Sequence, residues 1–374
     1  MSIDLINQTP YLSAAWDYLN KKGDPYGVAL LRGRFLLKAI NDKDQSWLLM
    51  EDTDQGELFT EDHYFDKPGR SSVRYESDFI PYKSGTDIVA NAVARSPEGV
   101  PRKQWRCGIT IEDTQGRHCC QKILNVTGPR QWNAGLLLTT LSQADSSAEV
   151  KIRYEHAYGG STKQRDGTEK DDDYYAPNPV GVGRSGFFDG VESWPAPQIE
   201  SPNDPICSPS QSYEPQGLGF VSRLWQPRMS LGGSYDEIWL KDKHPLLPDD
   251  FDLDYFRSAS PELALSGYLQ GNEIVMLNNF SYPHDNVRFH LPNYSFYSSL
   301  VLGNGGFLLQ PLHLDTVLLD IEQNDPQQWR IYLSWRGQHI VTDSAEQLEL
   351  FGVDNSLTQE NKMGQSHEYT ESCS

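Results

Sequence analysis

Cysteine is scarce in this 374-residue chain: Cys107, Cys119, Cys120, Cys207 and Cys373 make five, an odd number at irregular spacing. No Cys-x-x-Cys pair occurs, so the sequence supports neither a thioredoxin-like redox pair nor a cysteine zinc site, and reduced thiols are expected. Positive charge is also short. Lys and Arg total 32 against 52 Asp and Glu, a formal charge of -20. Nucleic acid and anionic membrane surfaces both need clustered cations, so neither is expected as a partner. No apolar run approaches the roughly 18 residues of a spanning helix. The opening MSIDLINQTPYLSAAW has no basic stretch leading into an apolar core, so no signal peptide is expected and the protein is read as cytoplasmic.

Catalytic signatures are missing as well. There is no Gly-x-Ser-x-Gly elbow, no His-Glu-x-x-His and no Walker lysine. The expectation is a protein that is not an enzyme and holds no cofactor and no metal.

What is present is a chain 37% hydrophobic and 11% aromatic, enough to build a core. Short alternating segments dominate. Tyr26–Ile40 reads as a strand pair or one long bent strand, and Ser46–Met50, Ser72–Tyr75 and Thr86–Arg95 as further strands. Lys103–Glu112 and Gln121–Val126 flank a glycine turn at Gly116 and form a hairpin by pattern. Gly135–Leu141 and Ala148–Tyr154 continue the series. Later come Leu263–Leu269, Glu273–Leu277 and Val287–Leu291, then Leu312–Ile321 and Gln328–Trp335 around Asn324-Asp325-Pro326. Many short strands at close spacing predict a mainly β fold, an antiparallel sandwich or barrel-like scaffold with few short helices. One helix is expected near Ala14–Asn20. A second is expected in SAEQLELFGVD, capped by Ser344, followed by a flexible polar tail. The domain reading is one unit over 1–343, β-rich to 155, irregular over 156–261 and β-rich again to 343, with 344–374 appended.

The irregular centre is the unusual part. Structureless spans this long are functional or disordered. Disordered ones are poor in aromatics, whereas this one carries Trp194, Trp225, Trp239 and many tyrosines. It is therefore expected to be ordered. Trp225, Arg228, Tyr235 and Trp239 are residue types enriched at interface hot spots. They fit either a partner surface or a private core beneath the loop. The acidic knot Asp249, Asp250, Asp252, Asp254 lacks the glycine of an EF-hand loop, and Asp249-Asp250 are expected to cap a short helix through Phe256. An acidic insert, Asp166–Asp173, is expected to be mobile. The glycines of Tyr158-Gly159-Gly160 and Asn178-Pro179-Val180-Gly181-Val182-Gly183 are read as backbone devices in a fixed loop. His313 and Asp315 share a strand face, as a satisfied pair or as two ligands short of a metal site.

Several of these stretches, in order, resemble a bacterial family described as type VI secretion effector chaperones or adaptors. They are Tyr154-Glu155 through Tyr158-Gly159-Gly160, Asn178-Pro179-x-Gly181-x-Gly183, Trp225-x-x-Arg228, Gly233-Ser234-Tyr235-Asp236, Trp239 and Pro248-x-Asp250-Phe251-Asp252. Lys83-x-x-Thr86-Asp87 and Gly128-Pro129-Arg130-x-Trp132 are similar to the family too, and Ser234 stands where it usually has Thr. The resemblance implies a cytoplasmic, non-enzymatic protein that holds a toxic effector, commonly through a PAAR-like N-terminal domain, and delivers it to the VgrG spike. The contact residues expected from these motifs are Tyr158, Asn178, Trp194, Trp225, Arg228, Tyr235, Asp236, Trp239 and Phe251. A different class remains open: a glycan-binding or glycan-hydrolysing β-sandwich using Trp194, Trp225 and Trp239 as sugar platforms.

Overall fold

The computed structural model describes residues 4–40, 46–160, 174–184, 192–342 and 344–354. The acidic insert Asp166–Asp173 and the polar C-terminal tail lie outside them.

Among the described residues the protein is mainly β, built around one fifteen-stranded sheet. Two fifteen-residue strands, Pro25–Ala39 and Phe307–Ile321, give the sheet its shape. Each is long enough to pair with different neighbours along its length. Pro25–Ala39 takes Leu12–Leu19 against its first half and Ser46–Glu51 against its second, while Arg330–Ile340 pairs along most of its length. Phe307–Ile321 takes Tyr294–Leu302 at its start and Asp87–Arg95 at its end. The sheet therefore branches twice. Burial explains why these strands read as nearly continuous apolar runs: Val28 to Leu31 and every residue of Asp87–Arg95 are buried.

The hairpin expected around Gly116 is Gln104–Glu112 with His118–Thr127. The pair around Asn324-Asp325-Pro326 is Phe307–Ile321 with Arg330–Ile340. The antiparallel expectation needs amendment, because Asp87–Arg95 pairs parallel to Phe307–Ile321 and Ser46–Glu51 pairs parallel to Asn286–His290. Leu263–Leu269 is not a strand but a 3-10 turn, Pro261–Leu263, and isolated bridges. Of Gly135–Leu141 only Thr140–Leu141 is strand, and Leu136, Leu137 and Leu138 form an exposed turn.

The two helices expected near the ends of the chain are strands. Leu12–Leu19 lies antiparallel on Pro25–Ala39. Ala345–Asp354 joins the sheet between Tyr294–Leu302, antiparallel, and Asp4–Asn7, parallel. The boundary drawn at 343 thus cuts through the sheet. Helix-forming Ala, Glu and Leu gave the helical reading, but Leu348 and Leu350 also alternate with Gln347 and Glu349. The period of two won because it sends both leucines into the core.

The described part of the irregular middle is ordered. A satellite core of Trp132, Tyr158, Trp194, Ala196, Ile206 and Tyr213 sits beneath its first half. Its centre is a three-stranded sheet that sets Trp132 directly opposite Trp194. From Val221 to Leu263 the chain is a series of 3-10 turns with one α-helix, Glu237–Asp242.

Leu348→Ala and Leu350→Ala are each expected to cost about 2–5 kcal/mol, the range for emptying a buried leucine site. Denaturant unfolding checks this. Values near zero would return Ala345–Asp354 to an appended segment.

Candidate functional site: a pinned segment and its outward face

Two buried carboxylates on the β part are met by cations from the irregular segment. Asp87 opens the strand Asp87–Arg95 with its side chain wholly buried. It meets Lys83 Nζ at 3.0 Å, Arg257 Nε at 2.7 Å and the Ser258 backbone N–H at 2.7 Å. Glu76 meets Arg228 Nη1 at 2.7 Å and Arg223 Nη2 at 3.1 Å. Arg223 reaches on to Asp62 at 3.0 Å. Burial pushes both carboxyls toward the protonated form. The facing cations outweigh it, Lys83 and Arg257 for Asp87 and Arg228 and Arg223 for Glu76, and hold both below the usual carboxylate range.

Except for Lys83, every cation in these two clusters comes from the irregular segment. Two of the three arginines also fix backbone. Arg228 donates to the carbonyls of Tyr255 and Val221, both at 2.7 Å, and Arg257 donates to Leu265 O at 2.8 Å. Arg32 with Asp78, at 2.6 Å, and Arg336 with Asp315, at 2.7 Å, extend the band of buried charge across the sheet. His313 lies flat on Tyr268 with ring centres 4.4 Å apart, and borders a cavity of about 290 Å3 together with Asp315 and Lys83. His313 and Asp315 are thus engaged with different partners rather than as the pair expected. Among the described residues no three His, Cys, Asp or Glu side chains are grouped to hold a metal.

Six of the nine expected contact residues are interior. Tyr158 and Trp194 belong to the satellite core. Asn178 is fully buried and donates to the carbonyls of Tyr154 at 2.8 Å and Tyr158 at 3.0 Å. A Cβ at Gly159 would stand 2.1 Å from Asn178 O, so that glycine permits a close backbone approach. Trp225 packs edge-on against Tyr154 at 5.3 Å within the main core. Arg228 is spent on Glu76. Phe251 is buried against Tyr255 and Phe256. These side chains have no surface left for a partner, and buried Trp194 and Trp225 cannot serve as sugar platforms. Of the two readings of the aromatic set, the private core holds for Trp225 and Arg228.

Tyr235 and Asp236 are exposed, whereas Trp239 is half-buried. Asp236 caps the helix Glu237–Asp242 by accepting from Trp239 N–H at 2.8 Å. The cap of the next turn, Leu253–Phe256, is Asp252 rather than Asp249-Asp250. Asp250 instead accepts from Ser234 N–H and Oγ, at 3.0 and 2.7 Å, and Asp249 meets Lys243 at 2.7 Å. Trp239 clamps the helix down. Its Nε1 donates to Leu246 O at 2.8 Å, and its ring meets Tyr235 and His244 edge-on. Three consecutive apolar residues span roughly 200° of a helix, so with Trp239 facing inward its neighbours face out. Ile238 is 70% exposed, Leu240 62% and Tyr235 56%. Leu224, Met229 and Leu253 are exposed on adjoining turns, tied together where Asp252 N–H meets Leu231 O at 2.8 Å. Sequence reasoning passed over Ile238, Leu240, Leu224, Met229 and Leu253. The one available signal was the run Ile238-Trp239-Leu240 on a helix of six residues.

The family whose description reads "Uncharacterized protein conserved in bacteria (DUF2169)" matches residues 23–336, most of the chain. No curated protein and no solved structure matches it.

Glu76→Gln and Asp87→Asn are each expected to destabilise the protein by about 3–5 kcal/mol, because they strand buried cations. Trp225→Ala belongs in the same range as a core defect. Both carboxylates have depressed values in the folded state. Their contribution is complete above the unfolded values of about 3.9 and 4.3 and fades as pH falls through the lower folded ones. Denaturant titrations at falling pH should show wild type losing this increment and the two variants keeping a flatter profile. Identical profiles in all three would contradict the assignment.

Proposed function

We propose that this chain, which belongs to the DUF2169 family, is an adaptor of the type VI secretion system. In the cytoplasm it binds a toxic effector, by way of that effector's PAAR-like N-terminal domain, and helps load it on the VgrG spike. Its work is binding, without chemistry of its own.

The observation that carries this reading is an irregular segment pinned by buried charge that still leaves apolar side chains, Ile238 and Leu240 among them, exposed to solvent. A backbone already fixed before binding reduces the ordering cost of association. Binding surfaces are commonly loops held by a rigid scaffold, and here the scaffold is the branched sheet. Ordered motifs shared with the adaptor family give the reading its partner class.

Co-expression of the chain with the products of its neighbouring genes tests it. The expected outcome is co-elution with one secreted effector through size-exclusion chromatography at moderate salt. Elution of the chain alone, with the effector present and folded, would contradict the adaptor reading.

A further inference from the structure

The cavity of about 290 Å3 lies at the register shift between the strands Phe307–Ile321 and Arg330–Ile340. Leu314 pairs with Trp335 and Thr316 with Ser334, so Asp315 has no counterpart across the ladder. Bulges of this kind re-aim side chains and are over-represented beside active sites. Two residues earlier, His313 stands directly opposite Arg336. Tyr82 and Tyr268 give the cavity aromatic lining, and Tyr268 is held by donating to Lys83 O. The volume is at the small end for a ligand pocket, which runs from about 300 Å3 upward.

The charges here are already balanced. Lys83 Nζ meets Asp87 at 3.0 Å, and Arg336 Nε meets Asp315 at 2.7 Å. A carboxylate or phosphate entering the cavity would meet Asp315 with no cation to spare, and burying an unmatched charge is costly. Hydrogen-bonding capacity, by contrast, is left over. Arg336 has a side chain only 5% exposed, and it uses Nε on Asp315 and Nη1 on Asp78 O, at 2.9 Å. Its Nη2 donates to no described residue. Gln338 spends Nε2 on the Tyr18 hydroxyl and Pro81 O, at 2.7 and 3.2 Å, which leaves Oε1 a free acceptor among the described residues. Neither ring nitrogen of His313 is hydrogen-bonded to a described residue. Burial lowers the pKa of that imidazole, against Asp315, which raises it. Near neutral pH the ring is therefore uncharged and carries one donor and one acceptor.

Donors and acceptors side by side in a charge-balanced cavity match hydroxyl groups, because each hydroxyl both gives and accepts. A single amide would answer only two of them. A ring bearing several hydroxyls offers polar groups at its rim and C–H bonds on its faces, where aromatic side chains pack. We infer that this cavity binds a neutral, polyhydroxylated molecule the size of one sugar ring, with Arg336 Nη2 donating to one hydroxyl and Gln338 Oε1 accepting from another. His313, exposed at the edge of the cavity, supplies the third polar contact. The inference goes beyond the adaptor reading and does not depend on it.

Saturation-transfer difference NMR on the full chain tests it, with glucose, galactose, mannose and N-acetylglucosamine as probes at about 5 mM, enough to detect millimolar affinity. Acetate and N-acetylalaninamide serve as the anionic and amide controls. Transfer to the ring protons of at least one sugar is expected, and none to either control. His313→Ala, which removes a contact, and Gln310→Trp, which fills the cavity from an exposed lining position, are each expected to abolish the transfer with thermal melting unchanged. Methyl glycosides run beside the free sugars separate two sources. Binding that needs the free anomeric hydroxyl supports a soluble sugar, and binding that tolerates the methyl group supports the end of a glycan chain. Transfer to acetate or the amide in place of any sugar, transfer to none of the probes, or sugar transfer that survives both variants overturns the inference.

Discussion

A carboxylate sealed from water must be met by a cation, and that requirement at Asp87 and Glu76 organises the rest of the molecule. Both sit on the β part, where strand pairing has already closed the interior around them. Lys83 is near Asp87 in sequence. The other cations, Arg223, Arg228 and Arg257, arrive only when the irregular segment is correctly laid over the sheet. Such pairs add little net stability compared with an apolar filling, yet removing one partner is severe. Their effect is to discriminate: a displaced segment would strip Glu76 of both arginines, leave Asp87 with Lys83 alone, and part three arginines from their carboxylates. A region too irregular to be held by strand ladders acquires one defined position in this way.

This changes what the shared motifs mean. Lys83-x-x-Thr86-Asp87, Trp225-x-x-Arg228 and the Asn178 and Gly159 pair are interior, unlike Tyr235 and Asp236 of the same set of motifs. The interior ones describe the mount. The outward residues, Ile238, Leu240 and Leu253, stand between or beside the motif positions, where the mount leaves side chains free.

Much of the fold was legible, and the failures have a common cause. The hairpin across Gly116 and the pair across Asn324-Asp325-Pro326 carry alternation and turn chemistry together, so local signals agreed with the tertiary outcome. In Leu12–Leu19 and Ala345–Asp354 they did not. Their Ala, Glu and Leu content favours helix, while a neighbouring strand edge settled the matter through partners hundreds of residues away in one case. At the site, tryptophan and arginine were correctly read as anchors but of the wrong object. Composition cannot distinguish an arginine that waits for a partner from one that already holds Glu76. The run Ile238-Trp239-Leu240 was visible in sequence. Which of its side chains turn outward was not, because that depends on Trp239 turning inward to Leu246 O.

The account stands on the irregular segment being one fixed body before any partner arrives. Amide hydrogen exchange on the isolated protein addresses that directly, with Val221–Arg257 as the region to follow. The account predicts that amides bonded across the segment, such as Asp252 to Leu231 O and Val221 to Ser258 O, exchange as slowly as those of neighbouring scaffold strands. Exchange there at the rate of an unstructured chain would contradict it.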